Sequence, residues 1–210
     1  MRFAAESDRG LVREINEDSY RIIEGTGGLP HVFVIADGMG GHSCGEIASR
    51  TAVEYIHTSV NENFKRFLPL KNCGQELVKL FNEANSVVYR KSLEDSSTAG
   101  MGTTLILALI DKEDMAVAHV GDSRLYLIRD RKIQQLTTDH SYIEELVRKG
   151  SLTRAEAQKH PQKNIITRAI GCFPEIEVDV LNFKIKKNDI FLICTDGLTN
   201  MVEADDIYRI

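Results

Sequence analysis

The sequence predicts an α+β fold built on antiparallel β-sheet, and three observations carry that prediction. From Thr103 to Leu136, apolar runs follow one another across turns too short for helical crossovers, so neighbouring strands must run antiparallel. Ahead of them lie two segments with apolar residues at helical spacing, each showing one stripe fit to lie on a flat surface. Three strand ends or tips carry an acidic residue beside glycine: Asp37-Gly38, Gly121-Asp122 and Asp196-Gly197.

The bulk numbers bound the class. At 210 residues the chain supports one substantial core, so residues 1–210 are read as a single domain. A net charge of −5 argues against nucleic acid as a partner. Cys44, Cys73, Cys172 and Cys194 form no C-x-x-C pair, which indicates neither a zinc site nor a disulfide framework. The N-terminus has no signal-peptide core, and no stretch reaches the roughly 20 apolar residues that span a bilayer, so no membrane contact is expected. A cytoplasmic, reduced monomer is expected.

In chain order, Phe3 to Ser7 reads as a short strand, Asn16-Glu17-Asp18 as an acidic loop, and Ser19 to Ile23 as a strand. The β-branched run from Val32 to Ala36 is a buried strand that stops at Asp37. A helix follows from Cys44, with Ala48, Ala52, Tyr55, Ile56 and Val60 in its stripe, and Pro69 stops the segment. After Gly74 a second stripe is formed by Leu77, Leu80, Phe81, Ala84, Val87 and Val88. Thr103 to Ile110 and Met115 to Val120 are buried strands, and Arg124 to Arg129 pairs with Lys132 to Leu136 across Asp130-Arg131. Residues 137–171 are polar and basic-tinged. Ser141-x-x-Glu144 and Thr153-x-x-Glu156 predict two short capped helices there, the first ended by Gly150. Such an insertion suits a flap over a site, and equally a plain surface excursion. Strands resume over Ile176 to Ile185 and Ile190 to Thr195, and a helix starts near Glu203.

The stretch from Val32 to His42 organises the rest. A strand that delivers Asp37 to a sheet edge and then turns on glycines suggests a hard-cation site with Asp37 and the Gly38 carbonyl as ligands. The same stretch also fits an ordinary strand-to-helix turn with a solvated aspartate, just as Arg13 fits a surface cation and Glu17/Asp18 a loop decoration. If the tips at Asp37, Asp122 and Asp196 converge in a two-sheet core, their carboxylates cannot all ionise without cations. Oxygen-only donors select Mg²⁺ or Mn²⁺ over zinc. Two such ions can orient a phosphoryl group for in-line attack with no side-chain nucleophile. There is no G-x-S-x-G elbow, Walker A loop or dinucleotide fingerprint.

Seven blocks in order then show a resemblance. They are Gly10-Leu11-Val12-Arg13 with Asn16-Glu17-Asp18-Ser19, Ala36-Asp37-Gly38-Met39-Gly40-Gly41-His42, Gly102-Thr103-Thr104-Leu105, Val120-Gly121-Asp122-Ser123-Arg124, Leu136-Thr137-Thr138-Asp139-His140-Ser141, Asn164-Ile165-Ile166-Thr167-Arg168-Ala169-Ile170-Gly171, and Thr195-Asp196-Gly197-Leu198. Together they resemble the bacterial branch of the protein phosphatase 2C family of metal-dependent serine/threonine phosphatases. The resemblance implies a four-layer α/β/β/α sandwich of two antiparallel sheets flanked by helix pairs. It implies removal of phosphate from phosphoserine and phosphothreonine in proteins at a site of two Mn²⁺ or Mg²⁺ ions, with a third, weaker ion. Asp37 would bridge the two metals, the Gly38 carbonyl and Asp196 would each ligate one, and Glu17 and Asp18 would act through water or from the second shell. Asp122 would help hold the third ion, and Arg13 would bind the substrate phosphate through its bidentate fork. Phosphorylated proteins, a serine/threonine kinase among them, would be the partners.

The chain departs from the family pattern at three points. Met39 stands where the eukaryotic branch has a histidine proposed as general acid, with His42 nearby. Asn200 stands where many members have an aspartate near the third metal. The family's closing helix, Asp-Asn metal ligand and strands have no counterpart before Ile210, so the domain is expected to be C-terminally incomplete, with Asp205 or Asp206 as substitutes if no further ligand exists. A non-catalytic phosphoprotein-binding regulator, or a nucleotide hydrolase using the same carboxylates, are the competing readings.

Overall fold

A computed structural model describes residues 1–40 and 44–209. Two antiparallel sheets stack face to face. The larger runs β1 (Asp18–Ile23), β2 (His31–Met39), β4 (Leu105–Asp111), β5 (Asp114–Val120), β8 (Asp179–Lys184), with the two-residue β3 (Gly102–Thr103) pairing to the far end of β2. The smaller runs β7 (Lys132–Gln135), β6 (Arg124–Arg129), β9 (Ile190–Cys194). Helices α1 (Cys44–Asn63) and α2 (Gly74–Ser92) cover the outer face of the larger sheet, joined by two short 3-10 turns.

Each sequence pattern finds its reason in this layering. On β2 burial alternates residue by residue: Val32, Val34 and Ala36 join Ala48, Ala52, Ile56, Leu77, Leu80 and Phe81 in the helix–sheet core. Phe33 and Ile35 point the other way, into the core between the sheets with Ile106, Ala108, Val117 and Leu125. Period-2 alternation therefore aims Asp37 into the inter-sheet layer and Gly38 at the helix. Strands β4 and β5 read as nearly continuous apolar runs, broken in β5 by His119, because both of their faces are covered. The β6–β7 hairpin turns on Asp130 and Arg131, both in the left-handed region (φ 51° and 60°), which matches the right-handed twist of the flanking strands.

The capped helices are also present. In α3 (Tyr142–Arg148) Ser141 accepts the Glu144 amide, but Glu144 turns away to a two-point ion pair with Arg154 instead of completing the box. In α4 (Arg154–Gln158) the Thr153/Glu156 box is complete, and Gly150 after α3 has φ +72°. Two more short helices close the chain, α5 (Asp196–Thr199) and α6 (Ala204–Arg209), the latter beside β7.

Four boundaries differ from expectation. Phe3 to Ser7 forms no strand: residues 1–15 are exposed, and Phe3 instead sets its ring edge-on to Phe33, 5.6 Å between centroids. β2 does not stop at Asp37 but continues to Met39, because Gly38 and Met39 pair with Thr103 and Gly102. The run expected over Thr103 to Ile110 breaks at Thr104, whose amide and hydroxyl both turn to the Asp37 backbone. The strand expected from Ile176 begins only at Asp179, where pairing with β5 starts. No helix among the described residues is long and apolar enough to cross a membrane.

The helix–sheet core dictates a stability test. Phe81 is fully buried in it, so Phe81→Ala is expected to cost about 3–5 kcal/mol by chemical denaturation, whereas a cost below about 1 kcal/mol would place the α2 stripe outside the core.

Candidate metal centre

Asp18 and Asp37 are direct partners in the β1–β2 ladder, so their side chains leave the sheet together on its inner face. Asp122 comes from the turn between β5 and β6, and Asp196 from the residue pair that follows β9. The four carboxylates therefore reach one mouth of the inter-sheet layer from both sheets. Burial, and then the charges of Asp18, Asp196 and Asp122, push the Asp37 carboxyl up to about 8. Burial, then Asp196 and Asp139, push Asp122 up to about 7. Asp18 is also raised, chiefly by burial, although the Thr195 hydroxyl, donating to its Oδ2 at 2.9 Å, works in the opposite direction.

Backbone geometry holds these tips in place. The Asp37 amide donates to Thr104 Oγ1 (2.8 Å), and its carbonyl accepts both the Thr104 amide and the Thr103 hydroxyl (2.9 Å each). Thr104 Oγ1 is in turn 2.7 Å from Ser123 Oγ, which couples the Asp37 strand to the Asp122 tip. Asn200 Nδ2 donates to Asp196 Oδ2 at 3.0 Å, one helical turn away. On the other side of β2, Gly38 meets Gly45 at the start of α1 backbone to backbone. A Cβ on Gly38 would lie 2.0 Å from the Gly45 carbonyl oxygen and 2.8 Å from that of Glu17. The Glu17 carbonyl accepts the Gly38 amide (3.1 Å), and the Glu17 carboxylate lies against Gly45, so Glu17 joins the same corner.

The sequence-predicted residues are thus brought together with two exceptions. Arg13 sits in an exposed loop, and among the described residues no ion pair ties it to the carboxylates. Asp205 and Asp206 lie in α6, Asp206 pairs with Arg209 at 2.9 Å, and neither is among the largest influences on Asp37 or Asp122. Met39 pairs with Gly102, and His42 lies outside the described residues. Sequence reasoning quoted Thr104, Ser123 and Thr195 within its blocks but gave them no role, and it passed over Asn85. Asn85 is a fully buried residue of α2 that accepts the Gly171 amide and donates to the carbonyls of Phe173 and Pro174. A polar residue inside an apolar helical stripe was the available signal for it.

The donor chemistry fits a hard divalent cation. All four side chains are carboxylates, and their mutual repulsion is of the kind a cation relieves. Among the described residues no three His, Cys, Asp or Glu side chains close on one point as a finished cage. The cluster is an open cradle in which backbone oxygen and water would complete the coordination, as Mg²⁺ and Mn²⁺ sites commonly require.

With that geometry in hand, similarity to known proteins is decisive. The family model for protein phosphatase 2C matches residues 12–209. The chain belongs to the protein phosphatase 2C family. It is 37% identical to the serine/threonine phosphatase Stp of Listeria monocytogenes over 204 residues, covering 97% of this chain and 80% of that one. It is 37% identical over 219 residues to protein phosphatase PhpP of Streptococcus pneumoniae, covering 99% and 82%. The solved structure of Stp1 from Staphylococcus aureus superposes with TM-score 0.90 at 33% identity, covering 97% and 79%. The catalytic domain of the phosphatase PstP in complex with two manganese ions does so with TM-score 0.83 at 32% identity, covering 99% and 83%. The two stacked antiparallel sheets are those of the phosphatase 2C fold.

The Gly38–Gly45 contact offers a clean test. Gly38→Ala forces a Cβ into two backbones and is expected to lower stability by about 1–3 kcal/mol or more, together with loss of metal-dependent activity. Gly74→Ala, whose nearest neighbour would be Val180 Cγ1 at 3.7 Å at the start of α2, is expected to be neutral or slightly stabilising. Equal effects in the two variants would contradict a packing role for Gly38.

Proposed function

We propose that this chain dephosphorylates phosphoserine and phosphothreonine in proteins at a dinuclear Mn²⁺ or Mg²⁺ site built on Asp37. The observation that carries the reading is the convergence of Asp18, Asp37, Asp122 and Asp196 at one mouth of the sandwich, with Asp37 and Asp122 raised by burial and by one another's neighbours. The relatives at 37% identity are named as phosphatases, which favours catalysis over a purely phosphoprotein-binding role.

In this reading Asp37, the Gly38 carbonyl and Asp196 hold the two ions, Glu17 and Asp18 act on their waters or from behind, and Asp122 serves a third, weaker site. Bound there, the ions supply the Lewis acidity that activates a water and offsets charge on the phosphoryl group. The protein's own part is positional. The Thr103 and Thr104 bonds fix the Asp37 backbone, and Thr195 and Asn200 orient the carboxylates of Asp18 and Asp196. The Gly38–Gly45 contact brings α1 against the strand that carries Asp37. Arg13 receives the substrate phosphate. It lies in an exposed loop and makes no ion pair among the described residues, which leaves the guanidinium available for that.

Residues 137–171 form the flap. Both ends are rooted beside the carboxylates: the His140 amide donates to the Gly121 carbonyl, and Ile170 bridges to Thr103, whose hydroxyl holds Asp37. The substrates are products of serine/threonine kinases, and such a kinase in its own phosphorylated form is among them.

Asp37→Asn is expected to abolish Mn²⁺-dependent hydrolysis of a phosphothreonine peptide. The loss should exceed the roughly 10–100-fold typical of removing an outer-shell partner. Retained turnover in that variant sinks the dinuclear assignment. Side-by-side rates on phosphopeptide and nucleotide substrates should favour the peptide, and the reverse order would point to a nucleotide hydrolase.

A further inference from the structure

His140 makes more connections than any role in the site requires of it. It sits six per cent exposed at the root of the 137–171 excursion. Its amide donates to the Gly121 carbonyl (2.8 Å), and its carbonyl accepts the Thr167 amide (2.8 Å) from the returning end of the same excursion. Its side chain is bonded on both edges. The Gly121 amide donates to Nδ1 at 3.0 Å, while Nε2 lies 3.2 Å from Asp179 Oδ2 on β8.

These contacts fix the proton. A backbone N–H can only donate, so Nδ1 must be bare. In the neutral ring the hydrogen then sits on Nε2 and donates to Asp179. Arg168 Nη1, 3.3 Å from Nε2, is also always a donor, so that approach is a contact and not a bond; its hydrogen goes to Asp179 Oδ1 at 3.0 Å. Asp179 thus receives His140 and Arg168 side by side. Burial by itself would raise the Asp179 carboxyl, but its bonds to these two cationic or donating partners hold it below the usual range. One face of the ring is covered by His119, fully buried on β5 and stacked at 4.7 Å with an interplanar angle of 27°. Among the described residues neither nitrogen of His119 makes a hydrogen bond of ordinary geometry, although the backbone at Gly121 and Ser123 lies close enough to act on its ring. His140 can neither swing nor flip without losing Gly121 or Asp179.

We propose that His140 is a positioning residue that acts as a single-tautomer clamp. The imidazole, protonated at Nε2, ties the Gly121–Asp122 tip to Asp179, while the His140 backbone carbonyl holds the returning end of the flap at Thr167. The residue works through the backbone of Gly121, one residue before the Asp122 carboxylate, and through Thr167, one residue before Arg168. The inference deepens the reading above, since it takes Asp122 as a ligand of the weaker metal.

The test uses the full chain with MnCl₂ as probe. In the unsubstituted protein, long-range ¹H–¹⁵N spectra should show His140 as the Nε2–H tautomer. An Nδ1–H tautomer overturns the clamp, and this readout does not depend on any variant folding. In His140→Ala the Gly121 and Thr167 amides should exchange at least about 10-fold faster, and the weakest Mn²⁺ site should lose about 10-fold in affinity by calorimetric titration, with the tight sites unchanged within about 2-fold. His140→Asn, whose Oδ1 can still accept from Gly121, should restore Gly121 protection to within about 3-fold. Unaltered Gly121 exchange in folded His140→Ala overturns the clamp. Asp122→Asn separates the two claims: if it leaves Mn²⁺ binding unchanged while the tautomer and exchange results hold, the metal role of Asp122 fails and the clamp survives.

Discussion

Two aspartates placed directly opposite each other in an antiparallel ladder are the constraint around which this molecule is built. Sheets avoid like charges at such pairs, because the side chains stand within about 5 Å of each other and repel. Here Asp18 and Asp37 share that position, with Asp122 added from the turn that joins the two sheets and Asp196 from the end of the second. Burial and the neighbouring carboxylates raise the Asp37 and Asp122 carboxyls, a cost of the kind that a counter-charge relieves. Packing of two apolar cores holds the four groups together, and a divalent cation would relieve their repulsion. Destabilised clusters of this kind belong at functional sites.

The scaffold answers with short hydrogen bonds from small hydroxyl side chains. Thr103 and Thr104 interrupt a strand that would otherwise run on, and they spend their donors and acceptors on the Asp37 backbone. Thr104 then meets Ser123, Thr195 meets Asp18, and Gly121 is packed so tightly on Thr104 that a Cβ there would lie 2.6 Å from it. The 137–171 excursion is rooted in the same places, through Gly121 and Thr103. The residues that fix the carboxylates also anchor this excursion. Disturbing either root reaches the carboxylate cluster without touching one of its carboxylates.

Much of the fold was legible because its patterns are local. The stripes of α1 and α2, the nearly continuous runs of β4 and β5, the Asp130-Arg131 turn and the two capped helices each follow from spacing within a few residues. The metal cradle was legible as a repeated motif, an aspartate beside glycine at the end of a strand. Its convergence was not legible, because it depends on which strands face which across the sandwich. The errors have the same origin. β2 runs past Asp37 only because Gly102 and Thr103, far along the chain, pair with its end. Thr104 breaks its strand only because Asp37 lies beside it. Phe3 to Ser7 reads as a short strand but has Phe33's ring as its contact in place of a strand partner. His119, His140 and Asp179 are distant in sequence and look unremarkable there; ladder register brings the first and last opposite each other.

The central claim is that the carboxylates at the mouth of the two sheets hold divalent cations, with Asp37 between them. Anomalous diffraction at the manganese edge from crystals grown with Mn²⁺ measures this directly. The account predicts two strong peaks about 3.5–4 Å apart, both within bonding distance of the Asp37 carboxylate, one of them also touching Asp196. Peaks elsewhere on the molecule, or a fully occupied pair of ions that leaves Asp37 uncoordinated, would contradict it.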